Sequence, residues 1–257
     1  MTIEPFVINL DGDTIEGQVA RPERDALATV LMLHGGPGGD KNGPNDLFVE
    51  LETSLTDLGF ATVRFSFRGS GESTLTSAYA TVSAGVEDVE TVSQYIRTQK
   101  DLPKLALLAE SMGVTMGLQA DGLNAYPAVV LLWPALNLFD TDLSPFLQPD
   151  SVERARKDGA LSQSGLVLGK RFLEEALVLD VGRYLTGINC PVYLAHGDAD
   201  NEVPMTHSLR AAAILGNRAQ LSLFAGGNHG LKAPHERERV VREIGQYLMK
   251  AFKVASK

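Results

Sequence analysis

Short apolar runs rich in β-branched residues recur along the chain, at 28–34 (ATVLMLH), 61–67 (ATVRFSF), 104–109 (KLALLA), 128–133 (AVVLLW) and 191–196 (PVYLAH). A further apolar segment follows at 219–225. Apolarity without alternation marks strands buried on both faces, as in a parallel sheet covered by helices on each side. Helical patterns lie between the runs. Val86, Val89, Val92 and Ile96 recur three or four apart, with Glu87, Asp88 and Glu90 early in the segment, where acids suit the positive end of the helix dipole. Residues 46–58 and 205–215 repeat the pattern less fully. A last helix is predicted over 235–252, after Pro234, on Val240, Val241, Ile244, Tyr247, Leu248 and Phe252.

The first 22 residues alternate more strictly (Phe6, Ile8, Leu10, then Ile15, Val19) around Asp11-Gly12-Asp13, which predicts an antiparallel hairpin at the sheet edge. The remainder reads as βαβα, hence an α/β fold with a mostly parallel central sheet and helices on both faces. One region breaks the rhythm. From Pro134 to Asn189, roughly 55 residues separate two strands that one helix would normally join. Apolar residues mix there with many charges, and Ser164-Gly165 and Gly169 punctuate short helices and a small hairpin. The expectation is a core of residues 1–133 and 190–257 with a cap inserted over 134–189.

Composition narrows the class without supplying an activity. The 257 residues are 44% hydrophobic and 21% charged, as in a packed domain rather than a disordered one. The net charge of −9 disfavours a nucleic-acid partner. Cys190 is the single cysteine, so no internal disulfide can form and a reduced, cytoplasmic setting is expected. The N-terminus, MTIEPFVINLDGD, lacks the basic-then-apolar run of a signal peptide. The most apolar stretch, Ala128 to Leu136, contains Pro134 and falls far short of the ~20 residues that span a bilayer. Monomer and homodimer both fit.

Four segments could carry chemistry, each just past a strand. In Leu108-Ala109-Glu110-Ser111-Met112-Gly113 a strand ends at a serine with small residues two positions to either side, and a helical run follows. That is the context of a nucleophile elbow, in which a tight turn lifts the serine Oγ above the sheet; the same serine could instead cap the helix. His34-Gly35-Gly36-Pro37-Gly38-Gly39 would let backbone amides approach a ligand, and it lacks the order and the Lys-Ser/Thr of a phosphate loop. His196-Gly197-Asp198-Ala199-Asp200-Asn201-Glu202-Val203-Pro204 offers carboxylates, but not with the spacing of a calcium loop. Gly226-Gly227-Asn228-His229-Gly230 presents the one histidine on a glycine-flanked loop. His207 and His235 fall at helix starts, where exposed or capping roles are expected, and His34 and His196 sit at strand ends, where they would brace turns.

The order of these segments matches one superfamily. HGGPGG (34–39), FSFRGSGES (65–73), AESMG (109–113), HGDADNEVP (196–204) and GGNHG (226–230) together resemble the α/β-hydrolases over essentially the whole chain. The resemblance implies an α/β-hydrolase fold with Ser111 as nucleophile, His229 as general base and acid, and Asp200 as its orienting acid, with Asp198 the alternative. It also implies an oxyanion hole from the amides of Gly36 and Met112. No metal or organic cofactor is implied. The short cap and the CPVYLAHGDAD strand are similar to small bacterial carboxylesterases of the feruloyl or cinnamoyl type, although Glu110 and Ala109 stand where those carry His and Gly. HGGPG also resembles proline iminopeptidases, whose Gly-Gly-Ser-Trp-Gly elbow is absent. A serine at 111 argues against dehalogenases and epoxide hydrolases, which use aspartate. The activity implied is hydrolysis of a small-molecule carboxylic ester. The alternatives are the same triad acting on a thioester, amide, lipid or C–C bond, and a non-catalytic ligand-binding protein on this scaffold. Trp133 and Phe139, near the base of the cap, are expected to shape an apolar pocket.

Overall fold

The computed structural model describes the chain except for residues 11, 74, 75, 101, 164 and 255–257. Strands β1 (Thr2–Leu10) and β2 (Asp13–Arg21) form an antiparallel hairpin; of its turn signal, Asp11 lies outside the described residues. Three strand–helix units follow: β3 (Thr29–Leu33) with α1 (Leu47–Asp57), β4 (Ala61–Ser66) with α2 (Val82–Gln99), and β5 (Leu105–Glu110) with α3 (Met112–Gly117). After β6 (Val129–Leu132) come α4 (Pro149–Asp158), a small antiparallel pair β7 (Ala160–Gln163) and β8 (Leu166–Gly169), and α5 (Lys170–Leu177). Of the punctuation expected around that pair, Ser164 lies outside the described residues. The chain closes with β9 (Val192–Gly197), α6 (Thr206–Leu215), β10 (Ala219–Phe224) and α7 (Pro234–Val254).

Eight strands make one sheet in the order β1-β2-β4-β3-β5-β6-β9-β10. The pairings β1–β2 and β2–β4 are antiparallel and the others parallel, so the sheet is mostly parallel with its hairpin at the edge. The fold class expected from the apolar runs is therefore the one observed.

Strand period decides which helices pack where. Side chains alternate across a strand, so Val30 and Met32 of β3 face one way with Ala106 and Leu108 of β5, Val130 and Leu132 of β6, and Tyr193 and Ala195 of β9. Leu47, Phe48, Leu51 and Leu55 of α1 and Val240, Ile244 and Leu248 of α7 cover that face. The intervening residues, Leu31, Leu33, Leu107, Ala109, Leu131 and Leu194, meet Val89, Val92 and Ile96 of α2, Val114 and Met116 of α3, and Ala211 and Leu215 of α6 on the other. Both faces are dry, which is why these runs look apolar throughout.

Between β6 and β9 the buried Phe146, Leu147, Phe172, Leu173 and Leu185 join the second of these clusters. The segment is thus packed onto the α2–α3 side through the same apolar contacts that hold the sheet. Among the described residues no helix is long and apolar enough to cross a membrane.

The two-sided packing makes a stability prediction. Phe48 of α1 is wholly buried against the sheet, so Phe48→Ala removes contacts and leaves a cavity costing about 3–5 kcal/mol. Val178, 84% exposed, should tolerate alanine within about 0.5 kcal/mol. Urea midpoints of the two variants against wild type, at constant m-value, provide the check.

Candidate active site

The four segments expected to carry chemistry meet at the carboxyl ends of β3, β5, β9 and β10. Ser111 follows β5 with φ 50° and ψ −123°, a conformation that costs a residue with a side chain about 1–3 kcal/mol. Neighbouring strands hold it there: its amide donates to the Leu132 carbonyl (3.0 Å) and its own carbonyl accepts from Ala135 (3.1 Å). Crowding explains the small residue that follows. A β-carbon on Gly113 would lie 2.4 Å from the His34 carbonyl oxygen and 2.5 Å from that of Leu33. Ser111 makes no side-chain capping bond to α3, so the helix-cap reading does not describe it. Met112 is the first residue of α3, where a backbone N–H has no acceptor within the helix.

The loop after β3 is held by its own histidine. His34 is buried, which pushes its pKa down to about 4 and keeps the ring neutral. Its Nε2 accepts from the Phe67 amide (3.1 Å), leaving the proton on Nδ1 to donate to the Gly35 carbonyl (2.8 Å). Gly36 follows with φ 41°.

Geometry separates the two candidate carboxylates. Asp200 Oδ2 stands 2.8 Å from His229 Nδ1, while Asp198 turns away and accepts from the Gly226 amide (2.6 Å). The amides of Glu202 and Val203 donate to Asp200 Oδ1 (2.9 Å each), and His196 Nε2 lies 3.3 Å from Oδ2. Burial acts to raise the Asp200 carboxyl, but the hydrogen bonds from His196, His229 and Val203 outweigh it and hold the pKa well below the usual carboxylate range. His196 is fixed in turn, with Nδ1 2.8 Å from Ser208 Oγ and Nε2 2.9 Å from the Val203 carbonyl.

Burial would lower the His229 imidazole. The hydrogen bond and charge of Asp200, with the charges of Glu110 and Glu202, overcome this and raise its pKa above the ordinary histidine value. Its free nitrogen, Nε2, lies 3.7 Å from Glu202 Oε2. Among the described residues no hydrogen bond joins Ser111 Oγ to His229, but both line one cavity of about 460 Å³, together with Gly36 and Met112. The segment between β6 and β9 supplies Ala135, Leu138, Leu143 and Leu166 to its wall. Asp40, Glu110, Asp142 and Glu202 also line it, and among the described lining residues there is no lysine or arginine.

Three sequence expectations are corrected here. Trp133 is fully buried beneath the cavity rather than lining it: its indole donates to Glu110 Oε2 (2.7 Å) and its ring meets His229 edge-on, centroids 5.8 Å apart. Phe139 is 40% exposed, because the 3₁₀ turn Leu138–Asp140 sends Leu138 inward in its place. His207 is buried and accepts from the Leu136 amide (3.1 Å), bracing the chain after β6. The partners of Glu110 were missed altogether, since its two donors lie 75 and 23 residues away. Among the described residues no group of three or more potential ligands is arranged to hold a metal ion.

A family model described as serine aminopeptidase, S33, matches residues 24–156, and one described as the prolyl oligopeptidase family matches residues 174–255. The chain is 23% identical over 263 residues to the non-heme chloroperoxidase CPO-A1 of Kitasatospora aureofaciens, covering 86% of this chain and 92% of that one. Est1E from Butyrivibrio proteoclasticus, solved with ferulic acid bound, has a TM-score of 0.79 at 18% identity and matches 96% of this chain and 99% of its own. Alpha/beta hydrolase domain-containing protein 10 from mouse has a TM-score of 0.74 at 19% identity, over 96% and 99%. At such identities the structural likeness speaks for the fold.

The charges around His229 predict its titration. NMR of the imidazole should give a pKa above 6.5 in wild type. Asp200→Asn removes both the hydrogen-bond acceptor and the charge, and should bring the value down; Asp198→Asn should leave it close to wild type.

Proposed function

The chain belongs to the serine aminopeptidase S33 family of α/β-hydrolases, whose model matches just over half of it, and on that premise we propose that it hydrolyses carboxylic esters through an acyl-enzyme on Ser111. One observation carries the reading. A serine on a positive-φ turn shares a cavity with a histidine whose far nitrogen is 2.8 Å from a buried carboxylate. Serine on such a turn, imidazole and acid, supplied in that chain order, are the parts of a Ser–His–Asp hydrolase.

In this mechanism Ser111 Oγ attacks the ester carbonyl carbon as its proton passes to His229 Nε2. Asp200 accepts from Nδ1–H, fixes the tautomer and stabilises the imidazolium that forms. The Gly36 and Met112 amides receive the oxyanion; each such donor is worth roughly 2.7–4 kcal/mol of barrier. The tetrahedral adduct collapses, the C–O bond to the alcohol breaks, and His229 returns the proton to the leaving oxygen. Water, deprotonated by the same nitrogen, then attacks the acyl carbon and releases acid and free Ser111. The segment 134–189 acts as a cap, supplying the apolar wall against which the acyl or alcohol group rests.

A second reading is favoured by the cavity's charge. Four carboxylates and, among the described lining residues, no lysine or arginine suit a neutral or positively charged substrate over an anionic one. An amide carrying a free amino group would use the same triad, and the family description is in keeping with it.

Covalent chemistry tests the proposal directly. A fluorophosphonate should label the native protein at Ser111 and fail on Ser111→Ala; an unlabelled wild type refutes a serine hydrolase. Asp200→Asn should lower kcat by roughly 10⁴-fold on p-nitrophenyl acetate, and a larger loss in Asp198→Asn would reverse the assignment of the acid. Because the base must be neutral and its pKa is raised, kcat/KM should climb with pH through a midpoint above 6.5. Parallel assays on p-nitrophenyl esters and aminoacyl p-nitroanilides separate the two readings.

A further inference from the structure

Glu110 is the last residue of β5, adjacent to Ser111 in the chain, and only 4% exposed. A buried carboxylate without a cationic partner is expensive, because desolvation penalises the charged form. Burial accordingly pushes the Glu110 pKa up. Among the described residues no lysine or arginine forms an ion pair with it; both oxygens are instead engaged by N–H donors. Oε1 accepts from the Gly35 amide, and Oε2 from Trp133 Nε1 at 2.7 Å.

Each donor belongs to a working part of the site. Gly35 is held at both ends, its amide by Glu110 and its carbonyl by His34 Nδ1 (2.8 Å). In a trans peptide the C=O of one residue and the N–H of the next point in opposite directions. Fixing the Gly35 carbonyl therefore fixes the direction of the Gly36 N–H, and the bond to Glu110 holds the preceding His34–Gly35 peptide, so Gly35 is anchored through the peptides on both sides of it. Only glycine permits the arrangement, since a β-carbon at residue 35 would lie 2.7 Å from Glu110 Oε1. Trp133, with φ 35°, is gripped through its own amide by the Ala195 carbonyl (2.7 Å), and its ring meets His229 edge-on at 5.8 Å. One carboxylate thus ties the loop beside the oxyanion site to the ring that backs the histidine.

We infer that Glu110 is a positioning residue, which fixes the Gly35–Gly36 loop and the Trp133 ring so that the oxyanion donor and His229 hold their places about Ser111. The inference rests on the reading of Ser111 and His229 as nucleophile and base. The charge of Glu110 also bears on His229, which faces Asp200 and Glu202 from the loop after β9 and Asp142 from the segment after β6.

Glu110→Gln is the informative variant. It keeps the shape but turns an NH₂ donor toward one of two N–H groups that need an acceptor, and it removes the charge. Trp133→Phe is its companion, losing the indole donor while keeping the charge. Both are assayed on p-nitrophenyl acetate, with circular dichroism and thermal melts to establish folding. In folded Glu110→Gln, kcat should fall roughly 10²-fold with KM little changed. The acid limb of its kcat/KM profile should move to lower pH, because a negative charge facing the imidazolium has gone. Trp133→Phe should lower kcat less and leave the acid limb in place. Wild-type kcat with an unmoved acid limb in folded Glu110→Gln overturns the assignment. Should Glu110→Gln fail to fold, Trp133→Phe decides: a reduced kcat supports the assignment and wild-type turnover overturns it. Fluorophosphonate labelling of wild type at Ser111, run alongside, reports separately on the underlying hydrolase reading.

Discussion

The loop after β3 and the turn after β5 lie so close that a β-carbon at Gly113 would stand 2.4 Å from the His34 carbonyl oxygen, and one at Gly35 2.7 Å from the Ser111 β-carbon. Real β-carbons do not make such contacts, so two bare backbones are the condition for everything built there. Because β3 pairs directly with β5, a peptide from one and a serine from the other end in the same small volume. The amides of Gly36 and Met112 can then border one cavity with Ser111. A bulkier residue at either glycine would push the two segments apart and separate them.

Charge is the second constraint, and its sign is lopsided. Asp200, Glu110 and Glu202 all act to raise the His229 pKa, and burial opposes them. Asp200 is itself kept ionised by donors from His196, His229 and the Val203 amide. These charges therefore stabilise the imidazolium form of His229 relative to that of an ordinary histidine. That helps whatever step generates it and hinders the base at low pH. The same carboxylates face the cavity, so the electrostatics that tune the histidine also colour what can bind.

How much of this could be read in the sequence follows from the range of each interaction. The strands announced themselves as apolar runs because both faces are covered, and the amphipathic Val86–Ile96 repeat lies within α2, which extends further at both ends to Val82–Gln99. Ser111, Asp200 and His229 could be singled out because each sits in a local glycine-punctuated segment just past a strand. Glu110 had no such signal: its partners, Gly35 and Trp133, are brought to it only by the β3–β5–β6 order of the sheet. Trp133 and Phe139 misled for a related reason. An aromatic residue beside a pocket segment suggests a pocket wall, but whether it points in or under depends on φ at Trp133 and on a 3₁₀ turn at Phe139, and neither has a residue signature.

Two of the positive-φ residues, Ser111 and Trp133, sit where the support is dense. Ser111 and Trp133 both adopt positive φ at the ends of adjacent strands, each at a cost of order 1–3 kcal/mol, and the buried charge of Glu110 adds to it. Such features persist only where the surroundings over-determine them. Here Ser111 is bonded to Leu132 and Ala135, Trp133 to Ala195 and Glu110, and Glu110 to Gly35. These bonds run crosswise through four parallel strands, β3, β5, β6 and β9, whose register is fixed by the apolar clusters on both faces. A shift of one strand by a single residue would turn every side chain to the opposite face and break the chain of bonds. The geometry around Ser111 is thus set less by the loops that carry it than by the register of the sheet beneath, and the cost of holding a serine in a strained turn is spread over the whole core.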